Sequence, residues 1–373
     1  MKKIYAFILF GCLLFGCKAP QKQSDVINLA KYARGFSIEN KGEYDILTLK
    51  NIVPNSQKVF EYVLLPNNVQ PPKDIKYEGI IRVPINRLVA TSTTHIAFLE
   101  ELNATEILVG FSEPKYISSP KVQERIKQGK IIDVGQSQQM NVERVIDLNP
   151  NLILSFGIES IDSSLKRFNE RGIPSIFIGE WNEQSPLGRA EWIKVFGALV
   201  GKKEEANLLF LETEKKYITA KNLVNNITNR PTILAGAIYQ DAWYLPGGNS
   251  YLANLLEDAK TNYLWKEDTN SGSLALSVEA VLEQGQDADF WFAPGQHTSY
   301  SILNQEHALY SRFKAAKAKN IFTYSLTKGS TGGILFFESG ACHPDLVLKD
   351  IIHHLYPELI KSYKPTYFLP LND

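Results

Sequence analysis

The residues of this chain that could do chemistry are few and scattered. Six histidines occur, His95, His297, His307, His343, His353 and His354, and His95 alone lies in the first half. A bare zinc or manganese ion draws several imidazole, thiolate or carboxylate ligands around one point, so this distribution offers no metal site. His353 and His354 are neighbours on a predicted helix, pointing about 100° apart, which is a surface pattern. Glu338 and His343 are close enough in sequence to form the acid/base pair of a surface hydrolase. There is no glycine-lysine phosphate loop, no dinucleotide fingerprint and no nucleophile elbow. Gly329-Ser330-Thr331-Gly332-Gly333 reads as a flexible loop, since no strand-to-helix junction surrounds it. What remains is binding, and the aromatic residues point to it. Tyr116, Phe156, Trp181, Tyr239, Trp243, Tyr244, Phe336 and Phe337 fall at or just beyond predicted strand ends. Open α/β sheets bind ligands outside the carboxyl ends of their strands, so such a set makes an aromatic cleft for a large, flat or apolar ligand.

The elements that must position these residues form two α/β lobes. With 373 residues, 44% hydrophobic and 21% charged, the chain can bury one large core or two medium ones. Forty basic residues balance forty acidic ones, which gives no bulk-charge argument for nucleic acid. Residues 1–16 read as a signal peptide, with Lys2 and Lys3 before the apolar run Ile4 to Phe15, a run too short to span a bilayer. Leu14-Phe15-Gly16-Cys17 resembles a bacterial lipobox in which Cys17 carries the lipid; a plain secretory peptide cut nearby is the alternative. Cys12 then leaves with the signal and Cys342 has no disulfide partner.

Residues 17–79 read as a lipid tether followed by a β-rich extension, with strands at Arg34–Ile38, Tyr44–Lys50 and Lys58–Leu65 forming an antiparallel meander. Residues 80–184 form the N-terminal α/β lobe, with strands at Arg87–Ala90, Ile107–Phe111, Ile131–Val134, Leu152–Phe156 and Ser175–Ile178. Its first helix, carrying His95, is capped from Ser92-Thr93-Thr94. Residues 185–228 read as a backbone helix. Ser185 is the cap, Pro186 the first helical position, and the apolar register of Trp192, Val195, Phe196 and Leu199 resumes after Gly201. At about 1.5 Å per residue, Ser185 to Asn226 would make a rod of roughly 60 Å; a helical hairpin turning at Val200 to Lys202 is the other arrangement. Residues 229–373 form the C-terminal lobe, with a strand Thr232–Tyr239, a turn Tyr244–Gly248 and later strands at Asp289–Ala293 and Ile321–Ser325. The halves echo one another. Glu143-Arg144-Val145-Ile146 before Leu152-Ile153-Leu154 has its counterpart in Glu279-Ala280-Val281-Leu282 before Phe290-Trp291-Phe292.

Met140 to Val145 running into Asn149-Pro150-Asn151-Leu152-Ile153, Trp192-Ile193 to Gly201-Lys202, Pro246-Gly247-Gly248-Asn249-Ser250, Ser277-Val278-Glu279 and His343-Pro344-Asp345 occur in order. On these stretches, from about Ile80 to Tyr356, the sequence resembles the periplasmic binding proteins of ABC importers for ferric siderophores, haem and vitamin B12. The resemblance implies an α/β fold of two Rossmann-like lobes joined by a long backbone helix, here with a small β-rich extension in front. It implies a monomeric carrier, not an enzyme, lipid-anchored in the periplasm and without nucleic-acid partners. Such a carrier delivers an iron chelate, or alternatively a corrinoid, to a permease dimer and its ATPase; the hydrolase and a non-transporting sensor lipoprotein are the other readings. Glu143 and Glu279 match the carboxylates, one per lobe, that dock on the permease. The pocket maps to the neighbourhoods of Thr94, Phe156, Tyr244 and Glu338. With the aromatic set and His95, a possible haem ligand, the expected ligand-binding residues are Thr94, His95, Tyr116, Phe156, Trp181, Tyr239, Trp243, Tyr244, Phe337 and Glu338. Ser137 and Ser273 stand at two places where vitamin B12 binders carry bulky aromatics.

Overall fold

The computed structural model describes residues 30–52, 56–73, 75–156 and 163–373. The signal segment, Cys17 and the first part of the tether lie outside these residues. Alternating burial builds the extension: Phe36 and Ile38 on Phe36–Asn40, and Leu47 and Leu49 on Asp45–Lys50, turn one face to the core. These strands and Val59–Pro66 are antiparallel, as the turn chemistry predicts. Gly79–Val83 then adds as a parallel fourth strand. The extension sheet therefore continues through Val83, beyond the meander expected from sequence, and the first lobe begins at Leu88.

That lobe is a parallel sheet in the order Ser175–Ile178, Leu152–Phe156, Leu88–Ala90, Leu108–Phe111, Ile132–Asp133. The second lobe orders Asn262–Tyr263, Thr232–Ala235, Phe290–Phe292 and Ile321–Thr323 in parallel and closes with antiparallel Leu369–Pro370. In each lobe the first strand lies between the second and the strand that follows the glutamate-bearing helix. Val142–Asp147 holds that place with Glu143, and Val278–Gly285 with Glu279. The sequence repeat is thus a repeat of fold. One expected strand is broken: Gly236, at φ 78°, ends Thr232–Ala235 at a point where a Cβ would lie 1.9 Å from the Tyr244 carbonyl oxygen. Beyond it Ala237–Tyr239 pairs with Ala242–Pro246, which pairs with Ser273–Leu276. Tyr244 accordingly lies in a strand, not in the predicted turn.

The connecting segment is three helices, Pro186–Glu191, Ile193–Val200 and Lys203–Asn222, and not one rod: the first two turn back along the third at Val200 to Lys202, as in the hairpin arrangement, with Lys194 over the Phe210 ring at 4.4 Å and Leu187 in one core with Tyr217. Ser185 caps the first as expected, accepting from the Gly188 N–H at 3.1 Å. Gly201, at φ 75°, ends the second. A Cβ on Gly197 would sit 2.4 Å from that of Ala206, so the second and third helices meet where no side chain fits. The last helix, about 30 Å long, makes the connection. Ala206 and Phe210 belong to a core shared by the extension and first lobe, whereas Tyr217 and Ala220 belong to the core of the second lobe.

Three carboxylates hold the extension against this spine. Glu191, fully buried, accepts the N–H groups of Lys31 (2.8 Å), Tyr32 (2.7 Å) and Ala33 (2.9 Å) together with the Lys194 ammonium (2.8 Å). Glu183 accepts from the N–H of Arg34 (2.9 Å), the N–H of Gly35 (2.7 Å) and the Trp192 indole (3.0 Å). Glu214 accepts from Lys31 Nζ at 2.6 Å and the Tyr32 hydroxyl at 2.5 Å. Asp45 is paired with Lys203 of the long helix.

On the first-lobe helix Thr93–Glu101, Ser92 occupies the cap position but its hydroxyl faces Thr94 Oγ1 at 2.8 Å instead of capping. His95 is fully buried, its ring 5.8 Å from that of Phe196, and neither ring nitrogen has a hydrogen-bond partner. Burial pushes its pKa down to about 3. An imidazole kept neutral in the fold gains its proton only on unfolding. Its contribution is therefore whole above the unfolded value of about 6.5 and shrinks as pH falls toward about 3. Urea unfolding between pH 7 and pH 4.5 should show the wild type losing stability more steeply than His95→Leu, by about 1.4 kcal/mol per pH unit below about 6.5; parallel curves would contradict the assignment.

Candidate functional site

A cavity of about 1330 Å³ opens between the lobes. Its walls come from the ends of parallel strands: Gly179 and Trp181 follow Ser175–Ile178, Ala237 follows Thr232–Ala235, Gly295 and His297 follow Phe290–Phe292, and Tyr324 follows Ile321–Thr323. This is the carboxyl-edge position that the sheet topology dictates. The antiparallel hairpin contributes Tyr239 and Tyr244, the helix Tyr251–Asp258 contributes Tyr251, and the short helix Leu335–Glu338 contributes Phe336 and Phe337. The extension supplies a further wall through Arg34, Gly35, Asn51, Ser56 and Gln57.

Apolar and polar surfaces alternate inside. Tyr239 and Tyr244 meet edge to face at 6.1 Å, both exposed to the opening. Tyr324 stacks on Phe336 at 5.0 Å and meets Phe337 at 5.0 Å. Trp181 lies in the floor with an indole N–H that has no partner among the described residues. Arg189 donates from Nη2 to the Trp181 carbonyl at 2.7 Å and stands over the Tyr251 ring at 3.8 Å, a cation–π contact. Burial pulls its guanidinium below its ordinary value, while Tyr251, Glu180 and Glu183 act in the opposite direction. The two acidic side chains of the wall are engaged: Glu183 holds the extension, and Glu306 lies 2.5 Å from Nε2 of His297.

Four expected binding residues line the cavity, namely Trp181, Tyr239, Tyr244 and Phe337. Phe156 stands behind the wall, its ring 5.6 Å from Trp181, immediately before residues 157–162, which are outside the description. The remaining expected residues lie elsewhere. Trp243 is core, fully buried against Trp291 at 5.3 Å and Phe313 at 5.2 Å, because it points to the face of its strand opposite Tyr244. His95 is enclosed in the first-lobe core. Thr94 donates to Glu180, a buried carboxyl whose pKa burial raises. Tyr116 is half exposed in the turn Pro114–Tyr116, outside the cavity wall.

Glu338 is buried, and its carboxylate accepts from the N–H groups of Ser118 (2.7 Å) and Ser119 (3.1 Å) of the first lobe. Beside it Thr331 donates to the Ile117 carbonyl at 2.9 Å and Ser118 donates to the Gly333 carbonyl at 3.2 Å. His343 faces Glu101, not Glu338, at 3.0 Å. The suggested acid/base pair therefore resolves into two separate contacts that tie one lobe to the other, and the glycine-rich loop 329–333 is part of the same seam. Arg189, His297, Tyr251 and Tyr324 were missed. Arg189 carried the one readable signal, a charge inside the otherwise buried run Pro186 to Ala190.

Among the described residues no three His, Cys, Asp or Glu side chains come together in a way that could hold a metal ion. Glu143 and Glu279 are both exposed in the first turns of their helices, behind the caps Asn141 and Ser277.

A family model described as periplasmic binding protein matches residues 88–325. The chain is 28% identical over 376 residues to the uncharacterized lipoprotein MJ0878 of Methanocaldococcus jannaschii, a match covering 95% of this chain and 88% of that relative. Among solved structures, a possible iron-binding (periplasmic solute-binding) protein from Staphylococcus epidermidis shares the fold with a TM-score of 0.57 at 20% identity, over 73% of this chain and 99% of the other. A periplasmic heme binding protein from Pseudomonas aeruginosa does so with a TM-score of 0.56 at 19% identity, over 78% and 99%. The family match runs from the first strand of one lobe, through the bridging helix, to the end of Ile321–Thr323 in the other, and the chain therefore belongs to the periplasmic binding proteins, which capture solutes for ABC transport and are not enzymes.

Proposed function

We propose that this protein captures an iron chelate, a ferric siderophore or haem, in the cleft between its lobes and delivers it to a permease dimer driven by an ATPase. The observation that carries this reading is the cavity at the strand ends, large enough for a chelate of that size and walled by Tyr239, Tyr244, Tyr324, Phe336 and Phe337. A flat or apolar chelate buries against such rings, and a metal that arrives already ligated needs no cluster of protein ligands. The names of the structural relatives as iron-binding and heme binding proteins agree with it. For haem, the proposed iron ligand is the phenol of Tyr239 or Tyr244, both exposed in the cavity wall, since a tyrosine oxygen is an established axial ligand and His95 is enclosed. A corrinoid remains the alternative cargo; Ser273 in the cavity wall, standing where vitamin B12 binders carry a bulky aromatic, favours the iron chelate over it.

Glu143 and Glu279 are the proposed permease contacts. An exposed carboxylate in a helix first turn is favoured electrostatically, and charges at the rim of an interface govern encounter and register more than affinity. Anchoring through a lipid on Cys17 accords with the naming of relatives as lipoproteins.

Titration of the purified protein with haem, a ferric siderophore and cobalamin, followed by tryptophan quenching through Trp181, should give saturable binding for an iron chelate. If haem binds, its Soret band should shift in the wild type and lose that shift in the Tyr239→Phe/Tyr244→Phe double variant; saturation by cobalamin alone would overturn the iron reading. In cells lacking the native gene, Glu143→Lys and Glu279→Lys should each lower uptake several-fold while ligand affinity measured in solution stays unchanged. Uptake insensitive to both reversals would remove the docking assignment.

A further inference from the structure

Beyond the matched region, the extension that precedes residue 88 enters the cleft. The carboxylates of Glu191 and Glu183 take the consecutive backbone N–H groups of Lys31 to Gly35. This arrangement places Arg34 at the wall with its backbone fixed. The position tolerates no displacement, since a Cβ on Gly35 would lie 2.7 Å from the Trp192 ring and 3.0 Å from Glu183 Oε1. Arg34 is exposed, and its side chain makes no hydrogen bond or ion pair with any described residue. Arg189, in the same wall, has Nε without a partner, and only Nη2 donates. The charge balance of the cavity is consequently asymmetric. Its carboxylates, Glu183 and Glu306, are held by backbone N–H groups and by His297, whereas its two guanidiniums keep donors free.

We infer that the extension is part of the binding site, and that Arg34, together with Arg189, selects a ligand carrying negative charge over an uncharged one of the same size and metal. This rests on the carrier reading above and narrows it. A guanidinium offers planar, paired donors that match carboxylate or catecholate oxygens. Arg189 works in a partly desolvated floor, where its attraction is screened less than that of a surface lysine. The extension thus acts as a specificity element: it leaves the two-lobe carrier intact and adds a cation that lobes alone would lack.

The test uses two pairs of probes matched in shape and different in charge: a ferric tris-catecholate against a ferric tris-hydroxamate, and haem against haem dimethyl ester. In whichever pair binds, the wild type should favour the more anionic member by about tenfold or more, a difference of roughly 1.4 kcal/mol. Raising the salt concentration should narrow that margin. Arg34→Gln and Arg189→Gln should each reduce the margin at least several-fold with little change for the uncharged probe, and Arg189→Lys should restore part of it. Arg34 is exposed, so its variant stays folded even if Arg189→Gln does not. Equal affinities within the binding pair, or equal losses for both members in Arg34→Gln, would overturn the inference while leaving the carrier intact. Binding of none of the four probes would instead overturn the iron-chelate reading and this inference with it.

Discussion

The helix Lys203–Asn222 is buried at each end in a different hydrophobic core, and the rest of the molecule depends on that constraint. Ala206 and Phe210 are locked among first-lobe residues, Tyr217 and Ala220 among second-lobe residues. A helix of about 30 Å with no proline or glycine in it curves only gently and has no place to kink, so it fixes the separation of the two sheets. It also keeps the carboxyl ends of both sets of strands facing a common space. The space is a consequence of topology: parallel strands end in loops at one edge, and two such edges turned toward each other leave a cavity that loop side chains can line. A space of this kind suits capture of a solute.

Buried carboxylates complete the frame. A buried carboxylate without partners is severely penalised, and Glu191, Glu183 and Glu338 are each met by several donors. Glu191 and Glu183 gather backbone N–H groups from the extension, and Glu338 gathers them from the first lobe across the lobe boundary. Removing such a carboxylate would leave several N–H groups buried and unpaired, a loss typically of about 1–3 kcal/mol for each group. These glutamates join segments distant in sequence, which is how the extension, the spine and the second lobe come to share one cavity wall.

The two-lobe plan was legible because it rests on local periodicity. The alternation of strands and helices, the cap at Ser185, and the twin helices of Glu143 and Glu279 can all be read from neighbouring residues. The break at Gly201 could be seen as well, and with it the hairpin offered beside the rod; what selects the hairpin is the close contact of Gly197 with Ala206, which local spacing does not show. Five of the eight aromatic residues line the cavity, and one of the misses has a simple reason. Tyr244 and Trp243 are adjacent on a strand and must face opposite ways; read as a turn, the stretch placed both in the cleft. Glu338 and His343 lie five positions apart in sequence yet find partners in the other lobe, at Ser118, Ser119 and Glu101. Contacts between residues more than two hundred positions apart leave no mark in local spacing. Arg189 shows the opposite case, for a cation inside the otherwise buried run Pro186 to Ala190 is itself a sign that something awaits it.

The claim that both lobes close on one guest through their strand-end loops is tested most directly by hydrogen exchange of the intact protein with and without a bound iron chelate. The account predicts slowed exchange at 179–184 in the first lobe and at both 236–239 and 293–297 in the second, with the outer helices unchanged. Protection confined to one lobe, or centred on the helices away from the strand ends, would contradict it.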